Sequence, residues 1–327
     1  MRLFALHPTD VLGKEIARHL NRPLDWLEER NFEDGEHKIR PMVSVRNEDV
    51  FVIHTLASDQ EQSVNDKLCK LLFFIATLKD AGARSVTAIV PYMCYSRKDR
   101  RTKPRDPVTL RYVATLFEAV GTDCVVAMDV HNLQAYQNAF RCMAEHLEAH
   151  HLFINYCLRE VPKGAEVVVM SPDIGGVKRA ERFRDKLVQA LSSDVGFAFM
   201  EKQRSQGIVK GETIVGDVQD KFVVILDDLI SSGTTMARAA RACKMSGAKQ
   251  VHALATHGAF AENGLAVFKE ESLDKVVVTN SMISCSLNEE LTGGKLEILD
   301  STPFLAEVVK KLGSGGSLVS LVNAEWF

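Results

Sequence analysis

Short apolar runs rich in β-branched residues alternate with longer amphipathic segments along most of the chain. One such run, residues 222–226, is too short for a buried helix, so it predicts a central strand of a parallel sheet. Residues 236–245 are rich in alanine, arginine and lysine and stop near Ser246 and Gly247, which predicts a helix soon after that strand. The alternation of strands and helices predicts an α/β protein with mainly parallel sheets flanked by helices.

An internal similarity suggests that the chain has two halves. Residues 72–92 and residues 237–257 each have the pattern of a helix that ends in glycine and leads into a β-rich strand. A length of 327 residues also suffices for about two domains. We expect an N-terminal domain at 1–148 and a C-terminal domain at 149–327, with the C-terminal segment packing partly on the first domain.

Composition and charge exclude several classes of protein. The net charge is -3, so no overall basic field favours nucleic acid. No run of about 20 apolar residues predicts a membrane span, and no signal peptide is indicated. The seven cysteines form no CxxC pair and lie mostly in apolar surroundings, which is typical of reduced, buried thiols. We therefore expect a cytoplasmic protein without nucleic acid or membrane partners.

Two acids and a loop of small residues follow the strand predicted at 222–226. Asp227 and Asp228 lie at its carboxyl end, where open α/β sheets bind their ligands. After two apolar residues, the chain continues with Ser231, Ser232, Gly233, Thr234 and Thr235. This loop leads into a helix N-terminus that favours an anion, so it predicts phosphate binding, and the acids would hold ribose hydroxyls or a Mg²⁺. The structural alternative is a capped loop without a ligand.

Further polar segments follow other predicted strands. A dense run of cations at 97–105 comes after the strand at 85–90, and guanidinium groups suit phosphate and purine recognition. Asp129 and His131 end another strand, and a carboxylate beside an imidazole can bind a divalent cation. Asp173 precedes a pair of glycines and a predicted helix. Each segment also has a plain structural interpretation as a solvated face, a hydrogen-bonded histidine or a loop.

Residues 32–36, Phe-Glu-Asp-Gly-Glu, contain the turn signal Asp34-Gly35, which on its own favours a hairpin. In chain order, the motifs FEDGE (32–36), SRKDRR (96–101), DVHN (129–132), SPDIGGVKRA (171–180), KQR (202–204) and DDLISSGTT (227–235) resemble those of the ribose-phosphate pyrophosphokinase family. The match spans nearly the whole chain. Ordinary phosphoribosyltransferases share only the last motif. The resemblance implies two tandem phosphoribosyltransferase-like (Rossmann-like) domains.

The resemblance also implies a reaction and a set of site residues. The diphosphoryl group of MgATP would be transferred to the C1 hydroxyl of ribose 5-phosphate, giving AMP and 5-phospho-α-D-ribose 1-diphosphate (PRPP). The residues that would bind ATP are Phe32, Asp34, Gly35, Glu36, Arg97, Lys98 and Asp99. Those that would bind ribose 5-phosphate are Arg204, Asp227, Asp228, Ser231, Ser232, Gly233, Thr234 and Thr235. His131 and Asp173 would bind Mg²⁺, and Lys202 and Arg204 would lie on a mobile catalytic loop at 201–211.

The resemblance has a consequence for assembly, because the FEDGE residues would reach the adenine of a neighbouring subunit. A homo-oligomer of at least two chains is expected, and the family suggests hexamers built from dimers. Two other functions stay open: a phosphoribosyltransferase that consumes PRPP, and a catalytically silent, synthetase-like regulatory subunit. The presence of Lys202, Arg204, His131 and Asp173 argues against the silent subunit.

Overall fold

The computed structural model describes residues 1–205, 208–260, 264–282, 287 and 289–322, with the backbone alone at 202–205, 208–212 and 322. The chain divides into two compact units. The first contains Met1–Glu148 and the described parts of Ser281–Ile283 and Ser301–Asn323. The second contains Ala149–Asn280 and the described part of Ser284–Asp300.

Strands and helices alternate along the described chain, as the hydrophobic pattern predicts. The strands are β1 (Arg2–Ala5), β2 (Leu27–Asn31), β3 (His37–Pro41), β4 (Asp49–Ile53), β5 (Ser85–Val90), β6 (Cys124–Met128), β7 (Met143–Leu147), β8 (Val167–Ser171), β9 (Val195–Ser205), β10 (Ile208–Val215), β11 (Phe222–Ile230), β12 (Gln250–Gly258), β13 (Lys275–Thr279) and β14 (Leu296–Leu299). The α-helices are α1 (Asp10–His19), α2 (Val64–Asp80), α3 (Thr109–Ala119), α4 (Leu133–Ala139), α5 (His150–Glu160), α6 (Val177–Leu191), α7 (Thr234–Met245), α8 (Glu289–Thr292), α9 (Thr302–Gly313) and α10 (Val319–Val322), and a 3-10 helix covers Gly264–Lys269.

The first unit is built on a five-stranded parallel sheet in the order β1-β4-β5-β6-β7. Its central strands β4, β5 and β6 are buried on both faces, as in β4, where every residue after Asp49 is buried. Such continuous apolar strands are typical of parallel sheets covered by helices. β2 and β3 form a separate antiparallel hairpin.

The second unit has a seven-stranded sheet in the order β10-β9-β8-β11-β12-β13-β14. All its neighbouring strands are parallel except β10 and β9, which form an antiparallel pair. The five strands from β8 to β14 follow the same chain order as the five strands of the first unit. The α/β fold with mainly parallel sheets is therefore confirmed, and the internal similarity corresponds to α2 with β5 and α7 with β12.

Two local expectations need correction. The strand predicted at 222–226 is central, between β8 and β12, but it continues to Ile230, and the following helix begins at Thr234 rather than Met236. Four of the cysteines are buried, whereas Cys69 is exposed and Cys142 is partly exposed; Cys285 lies outside the described residues. Among the helices that the structure describes, none has the length and apolarity to cross a membrane.

Candidate active site

Asp227 and Asp228 lie within β11 rather than after it, because the strand extends to Ile230. β8 pairs with β11 only as far as Ile225, whereas β12 pairs with it along Asp227 and up to Ile230. The last part of β11 thus extends past the end of β8. Both acids stand at the carboxyl end of the sheet, where the side chains are 20% and 6% exposed. This is the end of a parallel sheet at which α/β proteins bind their ligands.

One guanidinium joins the two carboxylates. Arg179, in the first turn of α6, places Nη1 3.0 Å from Asp227 Oδ1 and 2.9 Å from Asp228 Oδ1. Burial, together with the charge of Asp228, raises the pKa of Asp227 well above its ordinary value, and Arg179 opposes this shift. The three side chains carry one positive charge against two acids, so the cluster has acceptor capacity left for hydroxyl groups or a cation.

The loop after β11 and the start of α7 have the features of an anion site. Gly233 is the N-cap residue in the left-handed region, with φ 73°, and α7 has no side-chain cap among the described residues. A Cβ at Gly233 would lie 2.5 Å from Val267, so only glycine lets the 3-10 helix approach the loop this closely. The Ser232 and Thr234 hydroxyls are 3.1 Å apart, and both side chains are exposed. Exposed hydroxyls at an uncapped helix N-terminus can hold a phosphate.

The segment between β8 and α6 holds Asp173 in a fixed position. Its Oδ1 accepts a hydrogen bond of 3.0 Å from the Gly176 backbone N–H, and the Ser171 hydroxyl donates to the Asp173 carbonyl at 2.6 Å. A Cβ at Gly176 would lie 2.7 Å from the Ser171 hydroxyl oxygen, which explains the glycine there. The carboxylate of Asp173 is therefore oriented by its own loop and stays half-buried.

In the first unit, FEDGE forms the tip of the β2–β3 hairpin, so the predicted hairpin is present. The Phe32 backbone N–H donates to the Glu36 carbonyl at 2.8 Å, and the Asp34 carboxylate accepts from the Glu36 backbone N–H at 3.1 Å. All five residues of the tip are exposed, and the Phe32 ring stands 5.0 Å from the Arg30 guanidinium carbon. The tip offers an aromatic face and carboxylates to an external molecule.

The predicted nucleotide residues after β5 are linked to the segment after β6. Asn132 donates a hydrogen bond of 2.7 Å from its side chain to Asp99 Oδ2, which joins the SRKDRR and DVHN motifs. Arg97 and His131 are exposed, and the ammonium group of Lys98 lies 3.6 Å from Asp106 Oδ2.

Asp106 organises the basic segment that follows. Its Oδ2 accepts hydrogen bonds from the Thr102 hydroxyl at 2.7 Å and from the Lys103 backbone at 3.0 Å. The Thr102 hydrogen bond is the main reason why the pKa of Asp106 lies below its ordinary value. The segment is thus an ordered loop that carries several cations.

Lys202 and Arg204 lie on β9, where their backbone positions are opposite Glu212 and Val209 of β10. The resemblance implied a mobile catalytic loop at 201–211; the described backbone of 201–205 and 208–211 belongs to two paired antiparallel strands, and the mobility stays a prediction. The side chains of Lys202 and Arg204 lie outside the described residues, so their predicted roles stay predictions.

The sequence interpretation missed Arg179 as the partner of the two acids. A signal was available: Arg179 follows a glycine pair at the start of a helix, and helices that follow parallel strands begin at the ligand-binding end of the sheet. It also missed Asn132 as a partner of Asp99.

The site offers a divalent cation only some of the ligands that it needs. The described residues contain no group of three or more histidine, cysteine, aspartate or glutamate side chains that could hold a metal ion. Mg²⁺ is commonly bound by one or two protein ligands together with substrate phosphates, and the oriented carboxylate of Asp173 is a hard oxygen ligand of that kind. His131 belongs to the first unit and Asp173 to the second.

The fold and the acid pair beside a hydroxyl-rich helix start define a class, the α/β proteins of phosphoribosyltransferase-like fold. Residues 1–121 match the N-terminal domain of ribose phosphate pyrophosphokinase, and residues 192–323 match the phosphoribosyl synthetase-associated domain. The chain therefore belongs to the ribose-phosphate pyrophosphokinase family, which confirms the resemblance of the motifs.

Individual relatives support this assignment over the full length. The chain is 33% identical to a ribose-phosphate pyrophosphokinase of Fusobacterium nucleatum, covering 99% of this chain and 98% of the relative. It is 35% identical to the enzyme of Wolinella succinogenes, with 96% of each chain covered. The crystal structure of phosphoribosylpyrophosphate synthetase from Mycobacterium smegmatis superposes with a TM-score of 0.85 at 31% identity and covers 96% of this chain and 99% of that chain.

Proposed function

We propose that this enzyme transfers the β,γ-diphosphoryl group of ATP to the C1 hydroxyl of ribose 5-phosphate and releases AMP and PRPP. The observation that carries the proposal is the combination, at one end of β11, of two acids with a helix start that lacks a side-chain cap. Such a pair of features can bind the hydroxyl groups and the phosphate of one sugar phosphate simultaneously.

The acceptor sugar would lie along the end of β11. Ser231, Ser232, Gly233, Thr234 and Thr235 would bind the 5-phosphate through hydroxyl and backbone donors. Asp227 and Asp228 would accept hydrogen bonds from the C2 and C3 hydroxyls, because the C1 hydroxyl must stay free to react. Carboxyl oxygens are suited to this role, since each can accept hydrogen bonds from hydroxyl groups.

The donor nucleotide would be bound by the first unit. Arg97, Lys98 and Asp99 would contact ATP, and the exposed tip formed by Phe32, Asp34, Gly35 and Glu36 would reach the adenine of a neighbouring subunit. The exposure of every tip residue supports this assignment, since the tip is accessible to a nucleotide bound on another chain. Binding in this way requires a homo-oligomer of at least two chains, and an assembly of dimers into a hexamer is part of the proposal.

His131 and Asp173 would hold the Mg²⁺, whose chemistry when bound is to offset the negative charge of the phosphates. In the reaction, the C1 oxygen forms a bond to the β-phosphorus of ATP and the hydroxyl releases its proton to the solvent. The bond between the β-phosphorus and the oxygen bridging to the α-phosphate breaks, and AMP leaves with that oxygen and its electron pair. Lys202 and Arg204 would stabilise the charge that develops on the transferred group.

Purified protein given ribose 5-phosphate and MgATP is expected to form AMP and PRPP in equal amounts. Replacement of the proposed catalytic lysine, Lys202→Ala, should lower kcat by about 100-fold or more, because one positive charge on the transferred group is lost. The melting temperature should stay unchanged, and the exposed lysine variant Lys163→Ala serves as the matched control.

Two results would contradict the proposal. A folded protein that forms no AMP from these substrates would not be a synthetase. Release of pyrophosphate from PRPP in the presence of a nucleobase would instead assign the chain as a phosphoribosyltransferase.

A further inference from the structure

Arg179 contacts both acids of the proposed sugar site, but the reaction described above gives it no role. Its Nη1 lies within 3.0 Å of both Asp227 and Asp228, although neighbouring residues of a strand point to opposite faces of the sheet. A single atom can reach both carboxylates because β11 extends past the last residue that pairs with β8. Arg179 therefore holds the two carboxylates in one defined relative position.

Burial and the fixed start of α6 hold the Arg179 side chain in place. Its side chain is 13% exposed, and the helix that carries it begins directly after Gly176, whose N–H is bound by Asp173. A largely buried guanidinium between two largely buried acids has little freedom to move. The contact is thus a built part of the site rather than a surface ion pair.

We propose that Arg179 is a positioning residue for the acceptor sugar, which holds Asp227 and Asp228 so that they accept hydrogen bonds from the two neighbouring ribose hydroxyls. This inference rests on the proposed function, because it concerns the same sugar site. Through Arg179, the site would select pentose phosphates that carry both the C2 and the C3 hydroxyl. A sugar without the C2 hydroxyl would leave one largely buried carboxylate without the hydroxyl donor that it would otherwise bind, and sites of this kind reject such analogues.

The test uses the full-length protein and three variants. Arg179→Met removes the charge and keeps a similar length of side chain, whereas Arg179→Lys keeps the charge. Arg184→Met is the matched control, because Arg184 lies on the same helix and also bonds an aspartate, Asp185, away from β11. Isothermal titration calorimetry measures the binding of ribose 5-phosphate and of 2-deoxyribose 5-phosphate without ATP, and steady-state kinetics measures KM for each substrate.

We expect Arg179→Met to weaken ribose 5-phosphate binding by about 30-fold, with KM for ATP within about twofold of the wild type. Arg179→Lys should recover most of that loss, and Arg184→Met should bind normally. The preference for ribose 5-phosphate over the 2-deoxy sugar should fall about tenfold in Arg179→Met. A merely structural role would change the affinity for both substrates and would not be rescued by lysine.

Calorimetry separates failure of this inference from failure of the proposed function. Unchanged ribose 5-phosphate binding in a folded Arg179→Met variant would overturn the role of Arg179. If the wild type binds the sugar but forms no AMP, and Arg179→Met weakens sugar binding, the positioning role of Arg179 is supported and the transfer reaction is rejected. A wild type that does not bind ribose 5-phosphate at all would overturn both.

Discussion

The loop after β11 in the second unit and the loop after β4 in the first unit occupy the same place in two sheets of the same strand order. After β11 the chain exposes serine and threonine hydroxyls beside two acids. After β4, His54, Thr55 and Leu56 are completely buried. One position in the fold thus gives a candidate sugar-phosphate site in one unit and a closed loop in the other.

The two helices that follow these loops differ in their capping. α2 begins with a complete capping box, in which Ser63 and Asp66 bind each other's backbone N–H groups. α7 begins at Thr234, and its N-cap residue, Gly233, supplies no side-chain cap in the part of the chain that the structure describes. The Thr234 backbone N–H makes only a long contact, of 3.5 Å, with the Ser232 hydroxyl oxygen. A helix N-terminus binds an external anion only where the chain leaves its N–H groups available. The difference shows that capping residues, as well as loop composition, distinguish the proposed phosphate site after β11 from the equivalent loop after β4.

Polar groups near the closed loop bind each other. His54 Nδ1 is 3.0 Å from the Thr9 hydroxyl, and the buried ammonium group of Lys67 is 2.5 Å from Asp59 Oδ2. Burial, with a smaller contribution from the charge of Lys67, lowers the pKa of His54 to about 3. The histidine is therefore neutral at physiological pH.

The largest expected effect comes from closing the site after β11. Gly233→Ala should raise KM for ribose 5-phosphate by about 100-fold, because the added Cβ would collide with Val267 and displace the loop. Steady-state kinetics measures KM for ribose 5-phosphate, and calorimetry measures the affinity for the same sugar. Gly164→Ala is the control, since Gly164 also has a positive φ, of 81°, but no atom within 4 Å of its Cβ position. An unchanged KM in Gly233→Ala would remove the distinction between the two loops.

A smaller effect is expected from the closed loop, and only in acid. The pKa of His54 is about 3 in the folded protein, lower than the usual value of about 6.5 in the unfolded chain. The contribution of His54 to the free energy of unfolding is therefore fully present above about pH 6.5 and is lost as the pH falls below about 6.5, because the unfolded chain then binds a proton that the folded protein does not. At pH 5 the loss should be about 2 kcal/mol in free energy of unfolding. His54→Gln should remove this part of the pH dependence, as measured by urea unfolding at pH 7.5 and pH 5.

The exposed histidine variant His19→Gln should retain the full pH dependence. KM for ribose 5-phosphate should be unchanged in His54→Gln at pH 7.5. A pH dependence of stability in His54→Gln identical to that of the wild type would contradict the predicted contribution of His54.

The smallest effect is expected at the start of α2. Ser63→Ala removes the cap and should cost about 1 kcal/mol in free energy of unfolding, while KM for ATP and for ribose 5-phosphate stays the same. Urea unfolding and steady-state kinetics measure both, and Ser44→Ala provides an exposed serine as control. A changed KM would mean that this helix start takes part in substrate binding after all.

Much of the fold could be predicted, because its signals are local. Runs of β-branched residues predicted strands such as β5 and the first part of β11. A helix followed by glycine and a strand predicted the repeated α2–β5 and α7–β12 segments. The length of β11 could not be predicted in the same way. Acids and a short apolar pair do not have the pattern of a strand, yet pairing with β12 extends β11 through Asp227 to Ile230. Tertiary pairing overrode local preference there.

In the candidate site too, short motifs could be predicted from sequence, whereas contacts between distant residues could not. The motifs located the acids, the hydroxyl-rich loop and the FEDGE turn, because each is a short stretch of suitable residues. The contact of Arg179 with two acids far along the chain, and that of Asn132 with Asp99, appeared only in the structure.

The sequence by itself determined the family, the α/β class and the polar segments that follow the strands. Only the tertiary structure decided that a single guanidinium joins Asp227 and Asp228, that every residue of the FEDGE tip is exposed, and that the loop after β4 is closed while its counterpart is exposed. The physical reason is that propensity, capping and turn formation depend on neighbouring residues, whereas burial and side-chain partners depend on segments that only the packed fold brings together.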